Sequence, residues 1–259
     1  MEVHAHTHTP RKKWTHYLWE FLMLFLAVFC GFLAELQLEH KIEKQREKQY
    51  MVTMLEDLKN DTAFLNSFVY EWNIVNSSVD SVSDALHSGT TNKELIKTYR
   101  HLNNALNFWG FAYHDRTVSQ LKNSGGFRLI RDKDVANKII KYDQFNNNAM
   151  KKIAEQYNFF YEVTVQLRNK VFVQFITTEI FRRFEFTPPP PEENKWIDSL
   201  INSNKVPYNN ENYTALLFEF KNALLAYRKD FSNMEYGNVN LKAMATELLQ
   251  LIQKNYHLQ

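Results

Sequence analysis

Apolar residues fill one stretch near the start of the chain without interruption; after it they recur mainly at helical spacing. From Phe21 to Ala34 nothing more polar than Cys30 occurs. Those 14 residues fall short of the ~20 that usually cross a bilayer. Tyr17, Leu18 and Trp19 lengthen the run to about 18 residues at the cost of Glu20. Trp14, Tyr17 and Trp19 stand where an interfacial aromatic belt would, and Arg11, Lys12 and Lys13 precede them as a basic anchor. The pattern predicts one membrane-spanning helix over residues 14–38. A cleaved signal or a buried or interfacial helix are the alternatives. Cleavage requires small residues, yet Phe32 and Leu33 precede Ala34, and bulky Phe29 precedes Cys30. Ala27, Cys30, Gly31 and Ala34 share one helical face, and Glu20 lies seven residues before Ala27. Small residues at that spacing let helix backbones approach in lipid. Glu20, Ala27, Gly31 and Ala34 are therefore the expected membrane-helix interface, with Glu20 either held there or snorkelling to the headgroups.

Residues 39–50 read as a charged helical stalk, with opposite charges three apart at Glu43/Arg46 and Lys44/Glu47. From Met51 the spacing becomes regular. Positions 51, 55, 58, 62, 65, 69, 72, 76, 79, 83 and 86 alternate steps of four and three, and eight of these eleven are apolar. That is a coiled-coil or bundle seam. Neither Gly nor Pro occurs between Phe32 and Ser88, so the membrane helix is expected to run on towards Gly89, with Asn60 and Asp61 the favoured place for a break.

Thr91 and Glu94 form a capping-box pattern for the next helix, with a buried stripe of Leu95, Tyr99, Leu102, Leu106 and Trp109 and an end at Gly110. Asp115 can start a short helix, followed by a turn at Gly125 and Gly126. Asp132 caps a predicted long helix reaching about Phe186, even though Val171, Phe172 and Val173 favour strand by propensity. Pro188 to Pro191 make a stiff spacer, read as a crossover between helices. Beyond it come a short helix around Trp196 and a seam of Tyr213, Leu217, Phe220, Leu224, Tyr227 and Phe231. Ser232 and Glu235 suggest a cap for a last helix using Leu241, Met244, Leu248 and Ile252. The predicted fold is all-α: a single N-terminal transmembrane helix continuing into a long-helix antiparallel bundle. Its parts are a tail (1–13), the membrane helix (14–38), the stalk (39–50), the main bundle (51–187), the proline linker (188–191) and C-terminal helices packing on the bundle (192–259).

Composition adds three constraints. Thirty-one basic and 29 acidic side chains leave a net charge of +2, with no electrostatic footprint for nucleic acid. Six Gly and six Pro in 259 residues favour long helices over a turn-rich fold. Cys30 is the sole cysteine, so no disulfide can form within the chain. His4, His6 and His8 could hold a transition metal in the tail, although no Cys or carboxylate completes a site. Basic residues flank the apolar segment on both sides, which blurs orientation. The short basic tail points to a cytoplasmic N-terminus and a periplasmic domain.

The His-rich opening, Arg11 to Trp14, the run from Tyr17 to Glu35, Gln37 to His40 and Gln45 to Gln49 resemble a bacterial family of N-terminally membrane-anchored helical proteins of unknown function. The stretch from Gln120 to Asp132 is similar to that family as well. The resemblance covers about residues 4–60 and 115–145. It implies a single-pass anchor in a bacterial inner membrane and a helical domain, and it carries over no activity and no functional residue.

Gly-rich phosphate loops, a Gly-x-Ser-x-Gly elbow and His-Glu-x-x-His do not occur, and no cofactor or catalysis is expected. The best ligand candidate is the corner holding Arg116, Arg128 and Arg131 around the glycine turn, since guanidinium forks and exposed backbone amides suit anions. The competing reading is a structural corner with these arginines paired to Asp115, Asp132 and Asp134. Two functions follow. One is a non-catalytic scaffold or interaction protein of a membrane complex, forming a homo-oligomer or binding a membrane protein partner. The other is an extracytoplasmic anion sensor acting through a separate membrane partner, because the tail has no room for an output domain.

Overall fold

The computed structural model describes residues 14–89, 91–106, 111–185, 187–204 and 211–258. Every regular element among them is helical: α1 (Trp14–Ser88), α2 (Asn92–Ala105), α3 (Arg116–Ser124), α4 (Lys133–Gln144), α5 (Lys151–Val171), α6 (Gln174–Phe184), α7 (Asn194–Ser203) and α8 (Glu211–Tyr256). The chain forms two compact units, Met1–Tyr50 and Met51–Gln259, and the division falls within α1.

In the first unit the apolar stretch of α1 is uncovered. It is the one described helix long and apolar enough to cross a membrane, and none of its apolar window is buried. Phe21, Phe25 and Phe29 stack along it at 6.2 and 5.9 Å.

In the second unit the core gathers side chains from α1, α2, α5, α6, α7 and α8. Trp72 of α1 stacks face to face on Phe231 of α8 at 3.8 Å. The α1 seam differs from the expected one in half its positions. The column Met51, Leu58, Leu65, Trp72, Val79 and Leu86 is buried, as the spacing predicts. The second column is Met54, Asp61, Phe68, Val75 and Val82, one residue before the predicted 55, 62, 69, 76 and 83. Of that predicted column only Leu55 is buried, and Val69 is 49% exposed. Asp61 is the reason: a carboxylate in an otherwise apolar column disguises the column. No break occurs at Asn60 and Asp61 either. The Asp61 carboxylate finds its partners on other elements instead of competing for its own backbone.

Helix ends follow local chemistry in several places. Gly89 terminates α1 at φ 136°, and Gly125 takes the left-handed C-cap of α3 at φ 64°. Asp132 caps α4 by accepting from the amides of Asp134 and Val135, and its other oxygen accepts from Asn255 Nδ2 at 2.6 Å, tying α4 to the end of α8. Thr91 occupies the N-cap of α2 as expected, but its side chain makes no cap bond, so the capping box does not form. The α2 stripe of Leu95, Tyr99, Leu102 and Leu106 is buried. Trp109, Gly110, Phe186 and the loop through Pro207 lie outside the described residues.

Two long-range expectations are corrected. The single helix from Asp132 to Phe186 is instead α4, a π-helical turn (Phe145–Met150), α5 and α6. Phe172 and Val173 are extended, and the Val173 N–H donates to the Tyr99 hydroxyl at 3.0 Å. Strand propensity prevailed there because a partner on α2 satisfies the freed amide. The cap at Ser232 is the reverse case. The helix does not restart there: α8 runs unbroken for 46 residues, and Ser232 Oγ donates back to the Arg228 carbonyl. The buried stripe carries through Met234 and Asn238 to Leu241, Ala245, Leu248 and Ile252, and that burial outweighs a local cap signal. Gly237 lies inside this helix against the Met150 and Ile153 side chains; a Cβ there would lie 2.6 Å from Met150 Sδ.

Candidate functional site

The densest buried polar cluster joins α1, the segment before α3, α3 itself and α4. Asp61 is fully buried. It accepts from the His114 backbone N–H at 3.1 Å, from His114 Nδ1 at 2.7 Å and from the Tyr142 hydroxyl at 2.6 Å. Burial pushes its pKa above the ordinary carboxylate value, against the lowering pull of the hydrogen bonds from Tyr142 and His114. The Tyr142 phenol is pushed up, first by burial and then by the neighbouring Asp61 charge. Tyr113 packs edge-on against Tyr142 at 5.6 Å.

One turn earlier on α1, Asp57 accepts from the Thr117 N–H at 2.9 Å and the Thr117 hydroxyl at 2.5 Å. Arg116 bridges Asp57 and Glu56, at 3.0 Å to each. On α4, Asp143 takes Lys122 Nζ at 2.6 Å and Asn147 Nδ2 at 2.9 Å. These bonds fasten the start of α3 to α1 and its end to α4. The Asp61 carboxylate also holds the imidazole through Nδ1, on a ring whose side chain is 42% exposed.

All three arginines are exposed, and Arg116 carries the two ion pairs. Arg116 is committed to Glu56 and Asp57, and not to Asp115. Arg128 and Arg131 are exposed. A pocket of about 440 Å³ does open at this corner. Its described walls include Asp115, Asp143, Gln144, Asn147, Asn148 and Lys122, and no arginine. In the first unit Glu20, Ala27, Gly31 and Ala34 are all exposed. Glu20 pairs with His16 at 3.6 Å, and a Cβ at Gly31 would meet nothing within 4 Å. His4, His6 and His8 lie outside the described residues. Among the described residues no group of three or more His, Cys, Asp or Glu could hold a metal.

Sequence reasoning found the corner but missed its centre. Asp57, Asp61, Thr117 and Tyr142 partner across 60 to 81 residues, beyond any local pattern. The one available signal was Asp61 itself, polar within an apolar heptad column. No family model matches the chain, and no curated protein or solved structure matches it either.

Proposed function

We propose that this chain is a membrane-anchored, non-catalytic scaffold or interaction protein of a membrane complex. The apolar part of α1 crosses a bacterial inner membrane once, and the helices from Met51 form an antiparallel bundle on the periplasmic side. One observation carries the reading: the apolar window of α1 is uncovered along its whole length. Bare helix with Phe21, Met23, Leu24 and Val28 each more than 60% exposed needs lipid or another chain around it. The locked corner at Asp57 and Asp61 suits a rigid docking body. The sensor alternative draws no support from Arg116, which is already paired with Glu56 and Asp57.

Self-association runs through the small face of Ala27, Gly31 and Ala34. Gly31→Leu puts bulk where backbones would touch and keeps the segment apolar. It should weaken association by about 1–2 kcal/mol, while Phe29→Leu on another face does little. Crosslinking in native membranes reads this directly; one oligomer ladder shared by wild type and both variants contradicts it. Protease added to spheroplasts should digest residues 51–259, and full protection reverses the orientation.

A further inference from the structure

A second polar site lies in the Met51–Gln259 unit, on α2 and α7, apart from the Asp61 corner. Lys93, Lys97 and Arg100 follow one another at i, i+4 and i+7 on α2, so they share a face. All three line a groove of about 510 Å³, together with Ser88, Glu94 and Asn194. Arg100 spends its Nε on the carbonyl of buried Pro189 in the proline linker, which fixes the guanidinium at the groove and leaves its terminal nitrogens for a ligand. Lys93 and Lys97 are exposed and have no carboxylate partner among the described residues. The pKa of His101 falls to about 4, first through burial and then through the charges of Arg100 and Lys97.

Three cations around one groove suit an anion. Glu94 narrows the choice. Its Oε2 is shut off from solvent with no donor, and Asn194 Oδ1 in the same groove is equally orphaned. A carboxylate facing a bound anion repels it, unless the anion brings a proton to place between them. Hydrogen phosphate carries such a proton as P–OH. Sulfate carries none near neutrality, phosphodiesters carry none, and a phosphomonoester has mostly lost its proton above its second pKa of about 6. Turning over the Asn194 amide would offer an N–H pair to the same anion.

We infer that the groove between α2 and α7 binds inorganic phosphate, with Lys93, Lys97 and Arg100 holding its charged oxygens and Glu94 accepting its P–OH. This site is independent of the scaffold reading and uses none of the arginines at the Asp61 corner.

The test is calorimetric titration of the full-length protein in detergent, near neutral pH and at constant ionic strength, with inorganic phosphate, sulfate and dimethyl phosphate. Phosphate should bind saturably. Sulfate should fail for lack of a proton, and so should dimethyl phosphate, which stands in for a lipid headgroup. Lys93→Ala with Lys97→Ala, both at exposed positions, should weaken phosphate roughly tenfold or more, the scale of losing charge-assisted hydrogen bonds, with an unchanged melting transition. Glu94→Gln should admit sulfate, because glutamine can donate where glutamate cannot. Equal binding of phosphate and sulfate by wild type overturns the role of Glu94. Binding of dimethyl phosphate as tight as phosphate transfers the site to diester headgroups and overturns the proposal. No phosphate binding, or binding unaffected by the double lysine variant, overturns it outright.

Discussion

Two stretches of α1 meet opposite surroundings with similar residues. Residues 21–34 are apolar on every side and uncovered. Residues 51–86 carry two buried columns that are apolar except for Asp61, with mostly more exposed residues between them. The first pattern has no preferred direction, as a helix needs when solvent on all sides is hydrocarbon. The second has a direction, as a helix needs when protein covers one side and water the other. Helix propensity cannot separate them; the angular spread of the apolar residues does.

The comparison predicts that each stretch fails alone. The largest effect belongs to Trp72, stacked on Phe231 and 4% exposed. Trp72→Ala should cost about 3–5 kcal/mol in chemical unfolding of the Met51–Gln259 unit and leave membrane association intact. Leu24→Arg should do the converse. A charge at mid-helix costs insertion about 3 kcal/mol, lowering the membrane-integrated fraction without shifting unfolding of the helical unit. If either variant impairs both properties equally, the two stretches are not separate in function.

A smaller effect sharpens the account of the buried columns. Asp61→Asn leaves three donors facing an amide with only one acceptor, and should destabilise by about 1–3 kcal/mol near neutrality. The pH dependence has a definite sign. Burial holds the folded Asp61 pKa above 3.8, so the folded chain keeps this proton more tightly than the unfolded chain. Its contribution is full below 3.8 and declines as pH climbs through the raised folded value. Denaturant titrations should show the wild-type advantage over Asp61→Asn shrinking across that window. A constant advantage means Asp61 does not titrate there.

Much of the fold was legible in sequence, and the exceptions share a cause. Gly89, Gly125 and Asp132 marked their helix ends because each acts within a few residues of its own backbone. The seam from Tyr213 to Phe231 was legible because no polar residue interrupts it. The α1 seam was half legible: Asp61 broke the better column, and Leu55 and Val69 lent the wrong one an apolar look. Ser232 and Val171 carried correct local propensities with opposite outcomes. A buried stripe overrode the first; next to the second, the Tyr99 hydroxyl took up the N–H of the extended Val173. At the candidate site, position was legible and pairing was not. Arg116 could be placed beside a glycine turn, but its carboxylates lie 60 residues upstream in Glu56 and 59 in Asp57.

The central claim, that the apolar stretch of α1 lies in a bilayer, can be read from the chain's only cysteine. Cys30 is exposed along the bare helix. In sealed native membranes a water-soluble maleimide should leave Cys30 unlabelled, because the reagent does not enter hydrocarbon. Dissolving the same membranes in SDS should then give near-complete labelling. Equal labelling before and after SDS would put Cys30 in water and contradict the membrane anchor.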